Sequence, residues 1–345
     1  MKSVYFILGL ISLAFCSCEK KPTSDSSQNS VIQTNPTETT NNTTKPIASP
    51  KKSGDKKFVV GFSQIGAESA WRTAETESIR NEAAARGIDL RFSDAQGKPE
   101  NQIKALKTFV AQKVDAIILA PVVETGWQPV LQEIKRAEIP VLLVDRGVKV
   151  TDESLYTTLI ASDFVEEGWR AGEWLAKKLD GKGNIVELQG TPGSAPALDR
   201  KKGFENVLKK YPGMKIVKSQ SGDFNRSKGK EVMEAFLKSL GKNIQAVYAH
   251  NDDMALGAIQ AIEEAGLKPG SDIIVVSIDG VKGAFEAMVS GKLNCSVECN
   301  PLLGPTAFDT LDAIRNGNKV DKKIVVKDEL FDQATAKKVI ATRKY

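Results

Sequence analysis

The run Val141-Leu142-Leu143-Val144-Asp145-Arg146-Gly147, VLLVDRG, passes in one step from hydrocarbon to an adjacent acid and base. Four apolar residues in succession read as a strand covered on both faces, the pattern of parallel sheets, whereas a half-wet strand would alternate. The two charges then mark the carboxyl end of that strand, where open parallel sheets hold their ligands. Alternation along an extended chain sends Asp145 and Arg146 to opposite faces, so they are not expected to neutralise each other. Each needs a partner from elsewhere.

The same pattern recurs from Phe58 onward. FVVGFSQ, DLRFSDA, DAIILAPV, TTLIASD, GNIVELQG, KIVKSQSG, AVYAHND, IIVVSIDG, NCSVEC and KKIVVKDEL read as further strands, most of them ending in a polar cluster. Amphipathic stretches such as WRTAETESIRNEAAARG and VEEGWRAGEWLAKKLDG lie between them, at the spacing of βαβ units. About eleven strands exceed an ordinary single sheet. The fold class predicted is α/β, with two similar doubly wound parallel-sheet lobes joined by hinge strands. The lobes are expected at 58–160 plus 299–326 and at 161–298 plus 327–345, the chain first crossing near residues 161–163.

The chain has 345 residues, 41% hydrophobic and 26% charged, enough for two cores. MKSVYFILGLISLAFCSC sets one lysine before an apolar run too short to span a bilayer, which reads as a secretion signal over 1–18. Phe15-Cys16-Ser17-Cys18 resembles a loose bacterial lipobox, with Cys18 the expected lipidation site and Cys16 the alternative. Residues 19–57 are Ser, Thr, Asn, Pro and Lys with scarcely an apolar side chain, and are expected to behave as a disordered tether. The tether carries seven lysines against four acids. Removing its net +3 and Lys2 from the whole-chain +5 leaves the folded part near +1, so the basic balance gives no footprint for nucleic acid.

No catalytic set stands out. His250 is the only histidine, with no nucleophile motif beside it, and neither a Walker loop nor a GxGxxG follows the first strand. Cys295 and Cys299 lie four residues apart in a β-reading run, about 13 Å when extended, and are expected as free thiols. With one histidine and this pair, neither a metal site nor any cofactor is expected. What the strand ends supply is hydrogen bonding in both directions: carboxylates that accept, guanidiniums that donate as forks. A polyhydroxylated ligand needs that mixture, and Trp71 and Phe224 offer flat faces to the C–H side of a sugar ring.

The blocks VGFSQIGAESAWRTAETESIRNEAAARGIDL, ENQIKALKTFVAQKVDAIILAPVVETGWQPVL, DRKKGFENVL, SQSGDFNRSKGKEVMEAF, VYAHNDDMALGAIQAIEEAGLKPG and SIDGVKGAFEAM together resemble the galactofuranose-binding subfamily of type I periplasmic sugar-binding proteins. That subfamily sits in the ribose-binding-like group that serves bacterial ABC importers. The resemblance implies a two-lobed clamp closing on one sugar. By position, it carries ligand contacts to Asp145, Arg146, Arg200, Asn251 and Asp279. It places the first-loop motif ESGWR at Glu68, Ser69, Ala70, Trp71 and Arg72, with Ala70 where the subfamily has glycine. It adds Phe224 from the aromatic of the ribose binders' DFDR block, and Glu298 where ribose binders have a glutamine near the hinge.

The implied protein is a non-enzymatic, extracytoplasmic solute-binding component. It would be monomeric and lipid-anchored, delivering a monosaccharide to an ABC permease. Galactofuranose is the first expectation, with ribose, galactose or another pentose or hexose behind it. Two readings from other classes stand beside it: a glycosidase using Asp145 and Asp279 as acid and base, and a regulator of the lac-repressor type. The second would need an N-terminal helix-turn-helix where the signal and tether lie.

Overall fold

The computed structural model describes residues 57–345; the signal segment, Cys18 and the tether up to residue 56 lie outside them. The first elements are β1 (Val59–Gln64), α1 (Ala70–Ala85), β2 (Asp89–Asp94), α2 (Pro99–Ala111), β3 (Ala116–Leu119), α3 (Gln128–Arg136), β4 (Val141–Val144) and β5 (Thr158–Ala161). There follow α4 (Phe164–Lys178), β6 (Lys182–Gln189), α5 (Ala195–Leu208), β7 (Gly213–Ser221), α6 (Arg226–Leu240), β8 (Ala246–Ala249), α7 (Asp252–Glu264), β9 (Ile274–Asp279), α8 (Lys282–Val289) and β10 (Cys295–Glu298). The chain closes with α9 (Gly304–Arg315), β11 (Lys323–Val325), β12 (Leu330–Asp332) and α10 (Gln333–Val339).

Two six-stranded sheets result, in the orders β11-β5-β4-β3-β1-β2 and β12-β10-β9-β8-β6-β7. Shifting each of the first five strand numbers by five turns one sheet into the other, so the lobes are two copies of one doubly wound pattern. In both, the order reverses beside the lobe's first strand, at β1/β3 and at β6/β8, and such switch points open a crevice at the carboxyl ends.

VLLVDRG behaves as its composition requires. Leu142 and Val144 pack with Ile79, Phe308 and Leu311 on one face of the first sheet. Val141 and Leu143 pack with Leu106, Phe109 and Leu131 on the other. Both faces are dry, so an alternating pattern would have buried polar groups without partners.

KKIVVKDEL, read as one strand, is two. Lys323–Val325 pairs with β5 in the first sheet, and Leu330–Asp332 crosses to the second, where it runs antiparallel to β10. Its neighbouring apolar residues therefore serve different lobes. The second sheet is mixed rather than wholly parallel, with its antiparallel strand at the edge, a common arrangement in doubly wound folds.

Candidate functional site

Two of the helices that begin at the carboxyl ends are fixed by side-chain caps. Ser69 Oγ accepts from Arg72 N at the start of α1, and Asn251 Oδ1 from Met254 N at the start of α7. Each satisfies an orphan amide of the first turn. These caps set both helix starts at the rim of a partly open cavity between the lobes, about 270 Å³ with its solvent-filled mouth included. Ten of the twelve residues expected at the ligand line it: Glu68, Ser69, Trp71, Arg72, Asp145, Arg146, Arg200, Phe224, Asn251 and Asp279. Pro196 and Cys299 complete the lining.

Two expected residues lie elsewhere. Ala70 is exposed, and its amide donates to Asp253 Oδ2 of the other lobe at 2.8 Å. It is the first residue of α1 and has no positive φ, so alanine in place of glycine carries no backbone strain. Glu298 Oε1 accepts from Arg343 Nη1 and from the Tyr345 hydroxyl, both at 2.8 Å, outside the cavity. Strand alternation is the reason: Cys299, one residue on, takes the inward position.

Within the first lobe Arg72 is a hub. Its guanidinium meets Glu68 Oε1 at 3.1 Å, Asp145 Oδ2 at 2.6 Å, and Glu75 Oε2 in a short contact. Arg72 is 2% exposed. Burial opposes its charge, but Glu75, Asp145 and Glu68 outweigh that and hold it more firmly protonated than usual. In the second lobe Arg200 plays the same part, donating to Glu167 Oε2 at 2.7 Å and to the His250 carbonyl at 2.6 Å, with Asp279 Oδ1 at 3.5 Å. Burial lifts the Glu167 carboxyl to about 7 and the Asp279 carboxyl well above the usual range, against the pull of Arg200. One guanidinium serves two buried carboxyls here, and an Asp279 that keeps its proton donates as well as accepts.

Arg146 is differently placed. Nη1 donates to the Val122 carbonyl at 3.0 Å, yet Nε is buried without a hydrogen-bond partner. Asp145 Oδ2 and Glu68 Oε1 stand off at 3.5 and 3.6 Å. Burial, and then the like charge of Arg72, pulls its pKa down to about 10. Glu68 Oε2 is likewise buried and unpartnered.

Asp145 and Arg146 are thus closer than strand alternation predicts. Asp145 has left the strand, with φ +60°, and the Arg146 amide donates back to the Val144 carbonyl at 2.7 Å. This tight turn brings both side chains to one side, in a left-handed conformation that aspartate tolerates better than most residues.

Phe224 forms the aromatic wall, its ring centroid 5.3 Å from the Arg146 guanidinium and 5.9 Å from that of Arg200. Asn251 Nδ2 donates to its carbonyl at 3.1 Å. A side chain at Gly190 would meet the ring at 1.9 Å, so that glycine is what lets the ring lie there. Trp71 also lines the cavity, its Nε1 donating to the Cys299 carbonyl at 2.5 Å. Cys295 and Cys299 are free and buried. His250 is structural: Nδ1 accepts from Gly190 N at 3.4 Å and Nε2 meets Glu187 Oε1 at 3.1 Å. Burial pushes its pKa down, which keeps the ring neutral.

Sequence reasoning missed Glu75, Glu167 and Gly190. A signal existed for the first two. Glu75 interrupts the four-residue stripe Trp71, Ile79, Ala83 on the buried face of α1, and Glu167 sits among Phe164, Ala171 and Leu175 on that of α4. A charge at a core position asks for a buried counter-charge.

A family model described as a periplasmic binding protein domain matches residues 60–319. The galactofuranose-binding protein YtfQ of Escherichia coli is 55% identical over 291 residues, covering 83% of this chain and 92% of that protein. The solved binding component of the arabinose ABC transporter of Shewanella sp. ANA-3, bound to α- and β-L-arabinofuranose, is 57% identical with a TM-score of 0.81, covering 83% of this chain and 95% of that one. A protein of Mycobacterium smegmatis solved with β-D-fucofuranose is 52% identical with a TM-score of 0.81, covering 84% and 95%.

Proposed function

Since this chain belongs to the periplasmic binding protein family, we propose that it captures one furanose sugar between its lobes and delivers it to an ABC permease. The observation that carries this is the pair of unpartnered buried atoms, Arg146 Nε and Glu68 Oε2, at a cavity between the lobes walled by Phe224. Leaving a buried donor and acceptor unmade costs about 1–3 kcal/mol each. Hydroxyls of one sugar, each able to donate and accept, relieve both. Galactofuranose is the first candidate and L-arabinofuranose the second, since the similar proteins named above are described with furanoses.

Closure is the signal the permease reads. The described form has its lobes together, with Ala70 N on Asp253 and Glu124 N on the Gly193 carbonyl at 3.0 Å. Sugar contacts drawn from both lobes exist only in that form, so binding shifts an open–closed equilibrium. We assign residues 58–160 plus 299–326 to one lobe and 161–298 plus 327–345 to the other. The protein then works as a monomer held at the membrane through Cys18 and its tether. It is a binder rather than a glycosidase: Asp145 is held as an acceptor by Arg72, which suits a fixed hydroxyl better than a proton relay.

A thermal-shift screen against furanose-forming and pyranose sugars tests the reading. At a hundredfold excess over Kd, a sugar that binds only the native state adds about 2.7 kcal/mol, on the order of 5 °C for a protein of this size. Galactose or L-arabinose, through their furanose forms, should give that shift with no product formed on incubation. A shift from some unrelated solute and from no sugar would remove the assignment.

A further inference from the structure

We propose a second subsite that extends the first, taking a furanoside in which the furanosyl ring carries another sugar or polyol residue. It rests on the furanose reading above. A second cleft, open to solvent and about 990 Å³ with its solvent-filled mouth included, also lies between the lobes, and Glu68 lines both it and the ligand cavity. The loops after β1, β2 and β3 supply Gly66, Gln96 and Val122; those after β6 and β7 supply Thr191 and Asn225, and the first turn of α6 supplies Lys228.

Glu68 is the partition. Its Oε1 faces Arg72 and Arg146, whereas a Cβ built on Gly66 would lie 3.8 Å from Oε2, which places Oε2 toward the larger cavity. A ring hydroxyl bonded to Oε2 therefore stands at the opening between the two cavities, and a substituent at that end of the ring enters the second. The lining there mixes the carboxylates of Glu68, Asp94 and Asp223, the amides of Gln96 and Asn225, the Thr191 hydroxyl and the Lys228 ammonium, itself paired with Asp223, with apolar surface. Those groups can both accept from and donate to the hydroxyls of a polyol. Because both lobes contribute, the subsite forms as the lobes close.

Calorimetric titration of the full chain with free galactose and with a disaccharide ending in a galactofuranosyl residue tests this. The disaccharide is expected within about tenfold of the free sugar, a difference of about 1.4 kcal/mol. Thr191→Trp, which fills the second cavity from the second lobe, should leave the free sugar unchanged and weaken the disaccharide at least tenfold, on the order of 1.4 kcal/mol. Gln96→Ala, a milder change from the first lobe, should weaken the disaccharide alone by a smaller factor.

Binding of the free sugar only, or disaccharide binding indifferent to both substitutions, overturns the subsite and leaves the furanose reading intact. Binding of the disaccharide only supports the subsite and removes the single-sugar reading. Binding of neither overturns both.

Discussion

Arg72→Met is expected to lower the unfolding free energy by about 3–5 kcal/mol at pH 8, the cost of breaking a buried charge network by deleting one partner, and to abolish sugar binding. Among the described residues, Arg72 is the one cation that touches Glu68, Glu75 and Asp145 together. Methionine keeps the volume but leaves Glu75, which is fully buried, with only the neutral amide of Gln64. Burial already raises the Glu75 carboxyl even with Arg72 present. Without the guanidinium, the folded-state value of Glu75 rises further above its unfolded one. The sign follows: a raised carboxyl is most favourable to the fold below its unfolded pKa and loses that contribution as pH climbs through its folded value. The deficit should therefore shrink between pH 8 and pH 5. Urea unfolding of both proteins at the two pH values measures it. A variant as stable as the parent at pH 8 would show that the hub is not structural.

Arg146→Ala is expected to do the reverse. Its unfolding free energy should stay within about 1 kcal/mol of the parent, because the one hydrogen bond lost, to the Val122 carbonyl, is worth roughly that much. The loss is offset by removal of an unpartnered Nε and of repulsion from Arg72. Its sugar affinity should fall by at least about a hundredfold, since deleting a buried charged donor to a ligand costs about 2–5 kcal/mol and each 1.4 kcal/mol is tenfold. Calorimetry beside urea unfolding separates the two effects. Loss of stability without loss of affinity would exchange the roles assigned to the two arginines.

The contrast between these residues was only half legible in the sequence. That Arg146 ends a buried strand follows from VLLV, because hydrocarbon on both faces leaves a charge nowhere to go but the strand's end. The left-handed turn at Asp145 has no such mark, since aspartate adopts ordinary backbone far more often. Glu75 and Glu167 were readable as charges on apolar stripes, but naming their partners requires knowing which helix start faces which strand end.

Glu298 shows the opposite limit. Resemblance placed it at the ligand, and the structure gives it to Arg343, 45 residues further on. Gly190 reads as a loop glycine until the ring of Phe224, from a different strand end, is seen to occupy the space a Cβ would take. Long-range choices of this kind, including which sheet each half of KKIVVKDEL joins, are made by the packed core and leave little trace in local pattern.

The lobe boundaries, the permease partner and the furanose all depend on one claim: that sugar hydroxyls from a single ligand draw the two lobes together. Small-angle scattering with and without sugar measures it directly. At a hundredfold excess of sugar over the wild-type Kd, the radius of gyration of the wild type is predicted to fall, and that of Arg146→Ala to fall at most about half as far. An unchanged radius in the wild type, with the thermal shift fully developed, would mean that the sugar binds without closing the lobes, and would contradict the account.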